Sequence, residues 1–137
     1  MNLIILHKED FIDNNKVKLT GDIPREQVFK HLQESHIFTL ITNWEGFPRS
    51  ILEAMSCGLP VVATKVAGVP ESVTSDCGIL VEKDSKEDIT KAFTKLISNP
   101  KLIEKKGKNA RKRVKEKFSI EKTYQKTKKV YNNLLEK

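Results

Sequence analysis

The chain has 137 residues and a mass of 15.6 kDa, with 38% hydrophobic and 31% charged residues, which fits one compact domain and excludes a fibrous, low-complexity or disordered chain. Two cysteines and three histidines without ligand spacing exclude a disulfide scaffold and a zinc module. Net charge is +7, but residues 101–137 hold 14 Lys and Arg against 4 Asp and Glu, while the remainder holds 11 against 14, so the basicity belongs to the C-terminal end.

Residues 3–6 form a short apolar run, a strand or a frayed end, followed by a polar stretch with a turn signal at Asp13, Asn14 and Asn15. Residues 17–20 alternate apolar and polar up to Gly21, which predicts a short strand. Pro24 suits a first helical position, and Val28, Phe29 and Leu32 give that helix an apolar face as far as Ser35. Residues 37–41 are β-branched and aromatic enough for a buried strand, and Gly46 and Pro48 make residues 42–48 a loop. A helix over residues 49–56 turns Ile51, Leu52 and Met55 inward and stops at Gly58, a left-handed cap. Residues 60–64 read as a continuous apolar central strand.

After a turn at Gly68 and Pro70 comes a short helical or irregular piece over residues 71–74, then a strand over residues 79–81. Ser85 caps a helix reaching Ser98, with Ile89, Ala92, Phe93, Leu96 and Ile97 as its stripe. Leu102, Ile103, Ala110, Val114 and Phe118 share one side of a further helix. Ile120, Tyr124, Tyr131, Leu134 and Leu135 do the same for a last one, with the break at Ser119. Strands alternating with helices at this spacing predict an α/β, Rossmann-like parallel sheet with helices on both faces, ending in two C-terminal helices. No apolar run is long enough for a membrane span and the start lacks a signal-peptide layout, which predicts a cytoplasmic protein.

In such folds ligands bind beyond the C-terminal ends of the strands, where loops turn into helices. The loop over residues 42–50 places Glu45 just after a strand and leads into a helix whose first N–H groups have no internal partner, a site suited to phosphate. Glu53 lies one to two turns into that helix, among Ile51, Leu52, Ala54 and Met55, and must be paired, hydrogen-bonded or solvated by a cleft. Glu45 alone reads equally as a loop carboxylate in water, and Glu53 alone as a carboxylate paired on the helix surface. Two acceptor-only carboxylates framing an anion site suit a ligand with hydroxyls at both ends of a diphosphate, the shape of a nucleotide sugar. Of the remaining residues, Trp44 reads as a cover for the sheet edge or a sugar platform, and Cys57 and Cys77 as buried, unreactive thiols.

The string over residues 45–64, EGFPRSILEAMSCGLPVVAT, closely resembles the signature of the group 1 family of retaining glycosyltransferases, in which two Glu are separated by seven residues. Residues 35–44 before it, Gly68 to Glu71 after it, then residues 78–81, Phe118 and Ser119 follow the family's running order, so the resemblance covers residues 17–137. It implies the C-terminal, donor-binding half of a GT-B glycosyltransferase, one nucleotide-sugar-binding domain over residues 1–137 with the N-terminal acceptor domain absent. It further implies a retaining hexosyltransferase working in glycan or polysaccharide synthesis. Position by position, the resemblance makes Glu45 the catalytic residue facing the donor sugar, with the amides of Gly46 and Phe47 beside it. The amides of Ser50 and Ile51 would hold phosphate, Glu53 would accept from the ribose hydroxyls, and Asp22 and Ile23 would lie by the base.

Pro48 and Arg49 stand where many members have Gly and Leu; Pro48 removes one phosphate-facing N–H and Arg49 returns a positive charge. The donor would be a UDP-, GDP- or ADP-sugar, with no cofactor and no metal. The family's Gly-rich turn with an Arg and a Lys has no match before Val17, and removing one donor to transition-state charge typically costs about 10²–10³ in rate. Turnover would therefore need a missing domain or a partner chain that brings the acceptor. The alternative is a non-catalytic truncated module acting by protein–protein association. The basic C-terminal block lacks the interleaved aromatics of a nucleic-acid surface and fits either a solvated face or peripheral contact with an anionic membrane at its inner face.

Overall fold

The computed structural model describes residues 3–5 and 17–135, which fall into two compact units, Met1–Ser35 and His36–Lys137. In the first unit, strand β1 (Leu3–Ile5) pairs in parallel with β2 (Val17–Leu19), in the register Leu3 to Val17 and Ile5 to Leu19. Of the two readings for the start, a strand or a frayed end, the strand is the one present; Leu6 and the turn signal at Asp13, Asn14 and Asn15 lie outside the described residues. Helix α1 (Arg25–Glu34) buries Leu32, and the Arg25 guanidinium lies 5.5 Å from the centre of the Phe29 ring. Pro24 is the residue before the helix rather than its first member: its carbonyl accepts from the Gln27 and Val28 amides at 2.9 and 3.2 Å, so its fixed φ sets the entry while the helical bonds start at its oxygen.

The second unit carries a three-stranded parallel sheet in the order β3 (Phe38–Leu40), β4 (Val61–Thr64), β5 (Gly78–Val81). All four residues of central β4 are buried, as a parallel strand covered on both faces requires. Because side chains alternate along a strand, Val61 and Ala63 face one side and Val62 the other. On the first side they meet Ile51 and Met55 of α2 (Arg49–Ser56), Val69 of α3 (Val69–Ser72), and Ala110 of α5 (Pro100–Lys117). On the other side Val62 and Val81 meet Ala92 and Leu96 of α4 (Lys86–Ile97), with Leu102 and Ile103 closing the cluster. The expected sandwich of helix, sheet and helix is thus present. The piece expected over residues 71–74 is helical two residues earlier, over Val69–Ser72.

The helix ends follow local chemistry. Gly58 sits at φ 83, and the Leu59 and Gly58 amides return to the Ala54 and Met55 carbonyls at 3.1 and 3.0 Å, the paired bonds of a left-handed helix stop. The Ser85 hydroxyl accepts from the Asp88 amide at 3.2 Å, and the Asn99 side chain accepts from the Leu102 amide at 3.1 Å ahead of Pro100. Where α2 ends against α5, backbone meets backbone: a Cβ on Gly107 would stand 2.1 Å from the Gly58 carbonyl oxygen. Only glycine allows that crossing.

Helix α6 (Ile120–Leu135) begins at Ser119, whose hydroxyl accepts from the Lys122 amide at 3.3 Å. Its apolar stripe does not face a core. Ile120, Tyr124, Tyr131, Leu134 and Leu135 are all exposed. No helix among the described residues is long and apolar enough to cross a membrane. Cys77 is buried, whereas Cys57, at the end of α2, is only half-buried, which corrects its expected placement.

Candidate functional site

The loop after β3 is held to the neighbouring strand by a buried hydroxyl. Thr64, the last residue of β4, accepts from the Thr42 amide at 2.9 Å and donates to the Thr42 carbonyl at 2.7 Å, extending the β3–β4 pairing by one side chain. Thr42 in turn donates to the Trp44 carbonyl at 3.0 Å. The Trp44 side chain is 77% exposed and covers no sheet edge.

Two residues on, the Gly46 carbonyl accepts from the Gly68 amide at 2.9 Å, tying the loop after β3 to the loop after β4. The approach is so close that a Cβ on Gly68 would lie 2.1 Å from the Gly46 oxygen and 3.3 Å from the Phe47 ring. Gly46 itself has nothing within 4 Å of where its Cβ would be, so this stretch of backbone stands open on its outer side.

Pro48 is buried and precedes α2 with φ −71 and ψ 113, and no side chain caps the helix. The first-turn amides of Arg49, Ser50 and Ile51 therefore have no acceptor within the helix, and the positive end of the helix dipole meets the open loop. Arg49 and Ser50 are exposed; the Ile51 side chain is wholly buried and anchors the turn to the core. Glu45 and Glu53 are both half-buried, one before and one behind these amides. The structure thus brings together on one loop and one helix eight of the ten residues singled out from sequence: Glu45, Gly46, Phe47, Pro48, Arg49, Ser50, Ile51 and Glu53. Asp22, exposed, and Ile23, half-buried, lie between β2 and α1 in the first unit.

Three residues outside the ten shape this loop. Thr64 is one. The others are Phe118, whose ring centre lies 5.6 Å from that of Phe47 at 51°, and Arg113, whose guanidinium lies 5.8 Å from the Phe118 ring centre. Arg113 also donates to the Ser72 and Glu71 carbonyls, each at 2.8 Å, capping the end of α3. About two turns of α5 earlier, the buried Lys106 donates to the Ser75 and Gly78 carbonyls, the latter at 3.2 Å. Burial pulls the Lys106 pKa below the ordinary value. Asp76, in the same turn, is held below the ordinary carboxylate value by the Thr74 hydroxyl. A cleft of about 200 Å³ beside that turn is lined by Asp76, Asn109, Lys112, Arg113, Glu116 and Lys117, and includes none of the ten.

The sequence and the fold are shared with a known family. The model of glycosyl transferases group 1 matches residues 5–113, most of the chain. The chain belongs to this family. It is 30% identical over 138 residues to the capsular polysaccharide biosynthesis glycosyltransferase CapM of Staphylococcus aureus, covering 95% of this chain and 36% of CapM. The first curated relatives are all longer: the chain spans 19–37% of their length. Among solved structures, the C-terminal domain of a group 1 glycosyl transferase (LpcC) from Francisella tularensis superposes with a TM-score of 0.72 at 29% identity, over 78% of this chain and 56% of that one. HepE of Anabaena, solved in complex with UDP, superposes with a TM-score of 0.80 at 25% identity, over 87% of this chain and 33% of HepE. The fold is the Rossmann-like α/β architecture of the C-terminal half of GT-B enzymes, as the sequence predicts.

Proposed function

We propose that this chain is the donor-binding part of a glycosyltransferase, holding a nucleoside-diphosphate sugar at the loop between β3 and α2. The observation that carries the reading is the uncapped first turn of α2, open beside Gly46 and bracketed by Glu45 and Glu53. Anions are favoured where unpaired amides and the helix dipole point the same way. In this reading the Ser50 and Ile51 amides and the Arg49 charge hold the diphosphate, and the Gly46 and Phe47 amides and the Glu45 carboxylate hold the sugar. Glu53 accepts from the ribose hydroxyls. That HepE is solved with UDP supports a uridine nucleotide as the first donor to try, ahead of GDP- and ADP-sugars.

Transfer with retention then breaks the bond between the anomeric carbon and the diphosphate oxygen and forms one to an acceptor hydroxyl. The acceptor's proton passes to the departing phosphate oxygen, so no resident cofactor or metal enters the scheme. The amides at the start of α2 act where charge develops on the diphosphate, the term that weighs most in such catalysis. The acceptor is brought by a further domain or partner, and the exposed stripe of α6 favours a protein surface covering that helix. The outward cations of α5 favour contact with an anionic membrane leaflet from the cytoplasmic side, where the product would enter glycan synthesis.

Calorimetric titration with UDP-glucose tests the reading. The wild-type chain binds, and Glu53→Ala weakens binding by about tenfold, as loss of a hydrogen bond involving a charged group implies. Equal affinity in both proteins removes Glu53 from the site.

A further inference from the structure

We propose that the corner where α5 gives way to α6 positions the candidate donor loop, with Phe118 and Arg113 as the positioning residues. The proposal rests on the donor-site reading of residues 45–51, and concerns what keeps that backbone in place. A loop whose amides must wait for a ligand cannot spend them on internal bonds, so its shape has to be enforced from behind.

Behind it the contacts close a ring. Gly46 is bonded to Gly68, which opens α3. The carbonyls at the far end of α3, Glu71 and Ser72, are gripped by Arg113. Arg113 lies over Phe118, and Phe118 packs on Phe47, the neighbour of Gly46. Each link is short-ranged and directional. The guanidinium needs its planar fork to reach both carbonyls while stacking on the ring, which a lysine cannot reproduce. The tilted ring pair fixes Phe47, the residue that follows Gly46. Phe118 is also the residue that ends α5, its amide bonded to the Val114 carbonyl at 2.9 Å, so its ring is presented from a stiff helix rather than a free tail.

The test reads the loop directly. Trp44 is the single tryptophan and stands exposed within it, and the Gly68 amide reports the bond to Gly46. In Phe118→Leu, Gly68 amide exchange rises by about fivefold, the expected cost of an aromatic pair, and Trp44 fluorescence anisotropy falls. Exchange of the Leu59 amide, bonded to Ala54 at the other end of α2, stays as in wild type. Phe118→Tyr, which keeps the ring, restores wild-type values. Arg113→Lys moves Gly68 exchange in the same direction as Phe118→Leu, and carries the test should the leucine variant fail to fold.

Wild-type exchange and anisotropy in both Phe118→Leu and Arg113→Lys would overturn the proposal, as would a rise at Leu59 equal to that at Gly68, which marks a general loss of stability. UDP-glucose titration of the same proteins separates the two readings. Loosening of the loop with weaker donor binding supports both. Loosening in a protein whose wild type binds no donor leaves the positioning intact and removes the donor site.

Discussion

Replacing Gly68 with alanine probes the junction of the two loops with a sign that can be worked out beforehand. Gly68 has φ −78 and ψ −4, an ordinary right-handed conformation, so by backbone entropy alone alanine would stabilise the chain by about 0.4–1 kcal/mol. The new Cβ, however, would lie 2.1 Å from the Gly46 oxygen and 3.1 Å from its carbonyl carbon, where ordinary contact begins near 3.4 Å. The loops must part by roughly 1 Å, which stretches the 2.9 Å bond between them past a useful length. Losing that bond costs about 0.5–1.5 kcal/mol, and the forced shift of packed backbone about 1–3 kcal/mol more. The net expectation is a destabilisation of about 1–3 kcal/mol, a melting temperature lower by several degrees for a domain of this size. Thermal unfolding followed by circular dichroism measures the shift, and Trp44 fluorescence reports the displaced loop. A variant as stable as wild type, or more stable, would refute the contact and with it the account of how the two loops are joined.

Thr64→Val, which keeps the shape and removes the hydroxyl, leaves the Thr42 amide and carbonyl without their partner and is expected to cost about 1–3 kcal/mol in denaturant unfolding; a loss below about 0.5 kcal/mol would contradict the role given to that hydroxyl. Lys106 gives a pH test. Burial lowers its folded-state pKa below 10.5, so in the window just under that value the unfolded chain binds more protons and stability rises with pH. Measured against Lys106→Met, the wild type therefore gains ground as pH climbs toward 10.5, and a difference that moves the other way would contradict a buried, charged lysine.

The parts of this structure that were legible in the sequence are those set by neighbouring residues. Gly58 ends α2 and Ser85 starts α4 because caps act within four residues, and the alternation of Val61, Val62 and Ala63 between two faces follows from strand geometry. The candidate site from Glu45 to Glu53 is one continuous segment, so neighbouring residues alone place it on the loop before α2 and the first turns of that helix. What escaped is long-range. Thr64 meets Thr42 across 22 positions, Arg113 meets Glu71 and Ser72 across more than 40, and Lys106 turns inward to carbonyls 28 and 31 positions away. In composition all three are ordinary polar residues; Lys106 in particular is part of a basic block that fits either a solvated face or contact with an anionic membrane. For α6 the sequence shows the helix and its one-sided apolar stripe, while periodicity says nothing of what covers such a stripe.

The central claim is that the opening backbone of α2 and the loop before it receive a diphosphate sugar. Following the UDP-glucose titration amide by amide, on ¹⁵N-labelled wild-type chain, tests it most directly. The account predicts saturable shifts concentrated at Gly46, Phe47, Ser50 and Ile51. Shifts confined to the lysine-rich face of α5, with those four amides unmoved at saturation, would contradict it.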